Sequence, residues 1–387
     1  MIAYNKEWLN NLSLREEADK ALKNDFITKT EQENIYNKYQ SNFYTPNVFI
    51  RIGLFILTAV IALFTLGLFA LLLLSGGSDA AITAVFVIIG MLAYIGLEVI
   101  VKKRHYKSGV DDALIWIAPI CIIGGLNITS SVSWLGNSLL IFIFSTVLFI
   151  RFINWIMGSI AAIAFISVVF FAYIKFGDIA KATAPFVVMI ASTLLYFLAT
   201  KLSSRKEFKF YINGPFAISI VSLVCFYLTG NYFIVRETSI AMFDLDLSND
   251  QSIPFGWLFW ALTFVVPIAY LLRGILKKDV VFLRLGLILF AAIVFTVRYY
   301  YHPLPLETAA VIGGCLFILV SYFLIQWLRE PKFGFTYKKD TDENNGDSIQ
   351  IESLIIAETF SKTSQSTDSG IHYGGGSAGG AGASGDF

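Results

Sequence analysis

Residues 48–74 read VFIRIGLFILTAVIALFTLGLFALLLL, with Arg51, near the start, as the one charged position. An apolar run longer than about 18 residues is a membrane-spanning helix by its length. At about 1.5 Å per residue this one reaches roughly 40 Å, more than the ~30 Å hydrocarbon layer, so it must tilt or project. A polar region precedes it, and one apolar segment after another follows. The pattern predicts an all-α, polytopic integral membrane protein.

Composition points the same way. Charged residues make up 15% of the chain, against about 25% in soluble domains. Nine further spans are predicted, at 79–101, 111–128, 133–150, 152–174, 182–200, 210–235, 255–273, 279–298 and 306–328. Only Arg151 separates 133–150 from 152–174, so the sequence leaves open whether these are two spans. The first 47 residues are too polar for a cleavable signal peptide. The first span is then expected to act as an uncleaved anchor.

Loop charge sets the orientation. With the N-terminus inside, the inner loops carry Lys102, Lys103, Arg104 and Lys107, then Arg151, then Lys201, Arg205, Lys206 and Lys209, then Arg273, Lys277 and Lys278. Arg329, Lys332, Lys338 and Lys339 follow the last span. The outer side has Lys175, Lys181, Arg236 and Arg298. The positive-inside rule therefore predicts ten helices with both termini cytoplasmic.

Ahead of the first span, residues 1–47 read as a cytosolic helical hairpin. Ser13-Leu-Arg-Glu16 and Thr28-Lys-Thr-Glu31 both fit the capping box that starts a helix. Leu14, Ala18, Ala21 and Leu22 give the first helix an apolar face, and Ile35, Tyr36 and Tyr39 give one to the second. Such a hairpin either caps the membrane domain or docks a protein partner. Residues 329–387 form a cytosolic tail ending GGGSAGGAGASGDF. That composition cannot offset its ordering entropy, so disorder is expected.

Chemistry is sparse. Cys121, Cys225 and Cys315 all lie in apolar runs, which excludes a disulfide framework or a Cys/His metal site. No Ser/His/Asp set, HExxH or phosphate-binding loop occurs, and no cofactor or nucleic-acid partner is implied. Asp244, Asp246, Ser248 and Asp250 alternate like calcium ligands. Asn249 and Phe255 stand where such a loop needs glycine and glutamate, so no metal is expected. Glu98 can pair with Lys102 one turn on, and Asp111 and Asp112 suit a helix N-terminus. Two candidate features remain. Arg298, His302 and Glu307 form a possible outer-face cluster. Pro119 and Pro267 form a possible pair of helix breaks, equivalent if the ten spans are two inverted sets of five.

Leu22, Asp25, Ile27, Thr28, Glu31, Ile35 and Tyr39, leading straight into short-looped spans, resemble the N-terminal pattern of uncharacterised bacterial membrane proteins grouped as domain of unknown function 2157. That family usually has glycine where this chain has Asp25-Phe26. The Gly-rich end, Gly374 to Phe387, is similar to tails of other bacterial membrane proteins. The resemblance implies a bacterial inner membrane and supplies no active site. Two readings follow: a non-enzymatic scaffold or regulatory protein working through the hairpin or tail, and a secondary transporter with an inverted five-helix repeat.

The orientation is testable by labelling. In a background lacking Cys121, Cys225 and Cys315, single cysteines beside Arg104 and Lys206 should be shielded from an impermeant thiol reagent in intact cells. One beside Asp246 should react. Labelling at Arg104 from outside would reverse the topology.

Overall fold

A computed structural model describes residues 2–74, 78–211, 213–243 and 252–301, with scattered positions between 308 and 326. Residues 1–46 and 50–339 belong to one compact unit, and the packing described here lies within it. Among the described residues there are helices and one isolated bridge, Tyr44 to His105. Two short helices, α1 (Lys6–Lys23) and α2 (Lys29–Lys38), lead to α3 (Val48–Leu74), α4 (Asp79–Lys102), α5 (Val110–Thr129), α6 (Trp134–Phe152) and α7 (Trp155–Tyr173). Then come α8 (Asp178–Ser203), α9 (Asn213–Gly230), α10 (Tyr232–Phe243), α11 (Gly256–Lys277) and α12 (Val280–Tyr301). Among the described residues nine of these, all but α1, α2 and α10, are long and apolar enough to cross a membrane. The chain is a multi-pass membrane protein. The predicted span 306–328 and the tail 329–387 lie largely or wholly outside the described residues.

The break between α6 and α7 separates two spans. Ile153 takes a left-handed φ of 54°, and the Asn154 side chain accepts from the N–H groups of Ile156 (3.0 Å) and Met157 (3.2 Å) to start α7. Arg151 stays at the end of α6, where its guanidinium pairs with Glu98 of α4. Close pairing joins α4 to α5 and α8 to α9, with α6 on α7 and α11 on α12. Glycine permits the first of these contacts. A Cβ on Gly90 would stand 2.6 Å from Ile122 and 2.9 Å from the Ala118 carbonyl, the small-residue approach typical of membrane helices. By contrast, the best apolar window of α3 buries none of its residues. Near its start, Arg51 pairs with Asp112 at 2.7 Å, and its carbonyl sits where a side chain on Gly109 would have to go. Gly109, at φ 95°, is required by both backbone and space.

The N-terminal residues are fastened to one end of this bundle, called here the hairpin side. Tyr4 is 6% exposed and packs edge-on against Phe43, Tyr106 and Phe152, in one cluster with Leu97, Ile115, Leu148 and Met157. Burial, then the nearby Asp111, holds its phenol well above the ordinary range, so it stays neutral. The Ala3 N–H donates to the Arg151 carbonyl (2.9 Å), and the Tyr44 N–H to that of Arg104 (2.8 Å). The Arg104 guanidinium lies over Trp8, 4.9 Å from the ring centre.

One capping box forms and the other does not. The Thr28 N–H donates to Glu31 Oε2 (2.8 Å) and the Glu31 N–H to Thr28 Oγ1 (3.3 Å), starting α2 as expected. Ser13 instead lies inside α1, which begins seven residues earlier. There the Asn5 side chain accepts from the N–H of Glu7 (2.9 Å) and Trp8 (3.3 Å). An Asx cap upstream makes the later box unnecessary. Asp25, in the turn between α1 and α2, has φ 57°, a conformation that glycine takes freely and aspartate tolerates.

Two outcomes are expected. Tyr4→Ala should cost about 3–5 kcal/mol of docking, seen as faster amide exchange over residues 2–12 with the spans still protected. The Glu31 carboxyl is held below its ordinary value by the Thr28 N–H and hydroxyl. Its contribution is therefore present above about pH 4.5 and lost as pH falls through the lowered value. The first turn of α2 should fray in acid, and Thr28→Ala should fray it at neutral pH, both read by exchange at residues 29–32.

Candidate functional site

On the far side, opposite the hairpin, the expected span 210–235 is two helices. Gly230 ends α9, Asn231 is non-helical, and α10 starts at Tyr232. Glycine stops a helix readily, and asparagine caps the next. Asn231 is 2% exposed, and its amide donates to the Tyr227 hydroxyl (3.0 Å) and to Thr296 Oγ1 of α12 (3.1 Å). Its carbonyl oxygen accepts from the Ile234 N–H (3.3 Å). The Tyr232 N–H donates to Thr263 Oγ1 of α11 (2.9 Å), which donates in turn to the Phe259 carbonyl (2.7 Å). The freed Tyr232 amide is thus satisfied by Thr263 of α11 and that of Ile234 by Asn231 itself, whose side chain is held by Thr296 of α12.

An aromatic layer covers this network. Tyr232 stacks on Trp260 with ring centres 4.8 Å apart and meets Tyr300 edge-on at 5.2 Å. Arg236, on α10, is 3% exposed; its guanidinium lies 5.5 Å from the Tyr300 ring centre and 3.7 Å from Glu237. The sequence reading treated Arg236 as an outer-loop charge. The structure makes it a buried cation beside the Tyr300 ring, a favourable electrostatic setting for a guanidinium.

The predicted outer cluster meets this region in part. Arg298 is a half-buried residue in the last turn of α12, on the helix that carries Thr296 and Tyr300. His302 and Glu307 lie outside the described residues, as does the acidic stretch Asp244 to Asp250. Pro119 and Pro267 are both buried within their helices. They belong to different neighbourhoods: α5 packs on α4, whereas the Val266–Tyr270 stretch of α11 packs with Leu223, Tyr227 and Phe282 of α9 and α12. Thr263, four residues before Pro267, is the side chain that receives the Tyr232 amide, so the proline and the α9–α10 break share one region.

The hairpin side gathers charge. Glu98 accepts from both Nε and Nη2 of Arg151 (2.9 Å for the latter) and from the Tyr94 hydroxyl (3.2 Å). The expected partner was Lys102; a two-pronged guanidinium from the neighbouring helix matches a carboxylate better than an ammonium on a flexible stem. Asp112 pairs with Arg51, and Asp111, 2% exposed, accepts from the Ser108 N–H (2.7 Å) and hydroxyl (2.9 Å) to open α5. Both carboxylates therefore have specific partners beyond a helix dipole. Among the described residues no three His, Cys, Asp or Glu side chains gather to hold a metal ion.

No family model, curated protein or solved structure matches this chain.

Asn231→Ala should strand the buried Tyr227 hydroxyl, while Thr296 keeps its bond to the Ala292 carbonyl (2.9 Å), and should cost about 1–3 kcal/mol. The expected signature in detergent is a lower unfolding temperature, with amide exchange rising first at residues 231–235 at the start of α10. Unchanged exchange there would show that Asn231 does not hold the break together.

Proposed function

We propose that this chain is a non-enzymatic scaffold or regulatory protein of a bacterial inner membrane, presenting its N-terminal hairpin to a protein partner in the cytoplasm. The observation that carries the reading is the way the hairpin is held. Tyr4 and Leu9 are buried, and backbone bonds run from Ala3 to Arg151 and from Tyr44 to Arg104. A segment fastened by its own termini leaves its tip, Asp25 to Thr28, free to meet another molecule. Phe26 at that tip is 73% exposed, an apolar side chain on a polar surface and a natural anchor for a partner pocket. Basic residues crowd the same end of the helices and support a cytoplasmic assignment. The N-terminal resemblance supports the bacterial inner membrane.

The transporter reading draws on the α9–α10 break, since interrupted helices line the central sites of many carriers. Packing favours it less. An inverted repeat of five spans would match the pair α4 and α5 with α9 and α11. The first pair packs closely, whereas α9 makes its close contact with α8.

A photo-crosslinking residue at Phe26, in full-length protein in native membranes, is expected to yield one discrete adduct. Phe26→Asp should abolish capture by a crosslinker at neighbouring Lys29 without lowering the amount of protein. Absence of any adduct from positions 24–34 would overturn the docking reading.

A further inference from the structure

Between α8 and α9, near their hairpin-side ends, lies an apolar crevice of about 70 Å³. Leu198, Ala199 and Leu202 form one wall and Pro215 and Ile218 the other, with Phe208 at the hairpin-side end. Leu198 is 55% exposed and its neighbours Leu194 and Phe197 are more so, so the crevice opens sideways toward the hydrocarbon. Residues 201–211, which border it, carry four basic residues and one acidic residue, Glu207. Lys201 and Arg205 each follow a crevice residue by one turn's spacing, and Lys209 adjoins Phe208. All three are exposed. Lys209 donates to Asn10 of α1, while among the described residues the side chains of Lys201 and Arg205 have no partner.

We infer that this crevice and its basic rim bind an anionic phospholipid. A second copy or a partner helix is a poor fit, because a helix with its side chains is about 10–12 Å across and the space is far smaller. A short stretch of one acyl chain is narrow enough to lie in it, with the rest running along the exposed Leu194 and Phe197. The headgroup attached to that chain then falls at the level of the last turn of α8, where the cations stand. A zwitterionic headgroup carries its own positive charge against them, and an anionic one does not. Near a membrane surface one Lys or Arg contributes about fivefold in affinity for anionic lipid, so the rim should select headgroups and the crevice should retain the chain. The site is independent of the docking reading and rests only on the chain's being a membrane protein.

The test uses full-length protein in detergent, titrated with phosphatidylglycerol or phosphatidylcholine of identical acyl chains and read by native mass spectrometry. Phosphatidylglycerol is expected to bind about 10-fold or more tightly than phosphatidylcholine. Lys201→Gln with Arg205→Gln should weaken phosphatidylglycerol about 10–30-fold and leave phosphatidylcholine unchanged. Both positions are on the surface, and the comparison of the two lipids on the unaltered protein stands without the variant. Equal affinity for the two lipids would overturn the site, as would undiminished phosphatidylglycerol binding by the variant. Competition by inorganic phosphate as effective as that by the lipid would reassign the rim to free anions. A lipid-free dimer that excludes phosphatidylglycerol would assign the crevice to a second copy.

Discussion

Hydrocarbon offers no hydrogen-bond partner, so each polar group placed at membrane depth must be satisfied by the chain itself. Helices meet that demand for the backbone, and many side chains follow the same rule, though the buried hydroxyls of Thr146 and Ser192 have no partner among the described residues. Hydroxyls within the spans turn back on their own helix: Thr58 to the Leu54 carbonyl (2.8 Å), Ser167 to Ile163 (3.0 Å), Thr193 to Met189 (2.8 Å) and Ser222 to Ile218 (2.7 Å). Charges gather near the helix ends and pair across helices, as in Glu98 with Arg151 and Arg51 with Asp112. Where a helix is interrupted, at Asn231, Thr263 of α11 accepts from the freed Tyr232 N–H and Thr296 of α12 holds the Asn231 side chain.

That demand also explains the ordered N-terminus. The last carbonyls of a helix have no partner in their own ladder, and α6 ends abruptly at the left-handed Ile153. The Ile150 carbonyl accepts from the Tyr211 hydroxyl (2.5 Å), and the Arg151 carbonyl from the Ala3 N–H (2.9 Å). Two segments remote in sequence therefore cap one helix end. Arg151 serves twice, its guanidinium fixing α4 and its carbonyl fixing residue 3. A small polar hairpin would not hold its position by burial alone, since α2 buries none of its residues fully. Its position comes from Tyr4 and these backbone bonds at the base.

Most of the fold was legible because its main signal is length and apolarity, which need no tertiary information. The Thr28 box was legible for the same reason: the capping partners are three residues apart. What sequence reading missed depends on pairs distant in the chain. Glu98 has Lys102 one turn away, and nothing local says that Arg151, 53 residues on, is the better partner. Ser13 fits a capping box as well as Thr28 does, and only the earlier Asx cap at Asn5 excludes it. The α9–α10 break had a local signal in Gly230-Asn231, masked by the apolar residues on both sides. The roles of Thr263 and Thr296 had none, since a buried threonine in a span looks like any other until the helix beside it ends.

Where these groups lie bears on what the molecule can do. Moving a polar solute through a bundle takes groups at mid-depth that can exchange a bond with the chain for a bond with the solute. The hydroxyls of Ser222 and Thr193 are already committed to carbonyls four residues back, in geometries that the helix itself maintains. Lys201, Arg205 and the hairpin tip stand exposed at one end, whereas the buried hydroxyls of Ser192 on α8 and Thr146 on α6 lie within the spans without a partner among the described residues. The interior of the described spans thus combines hydroxyls committed to their own helix with these two, which packing alone encloses.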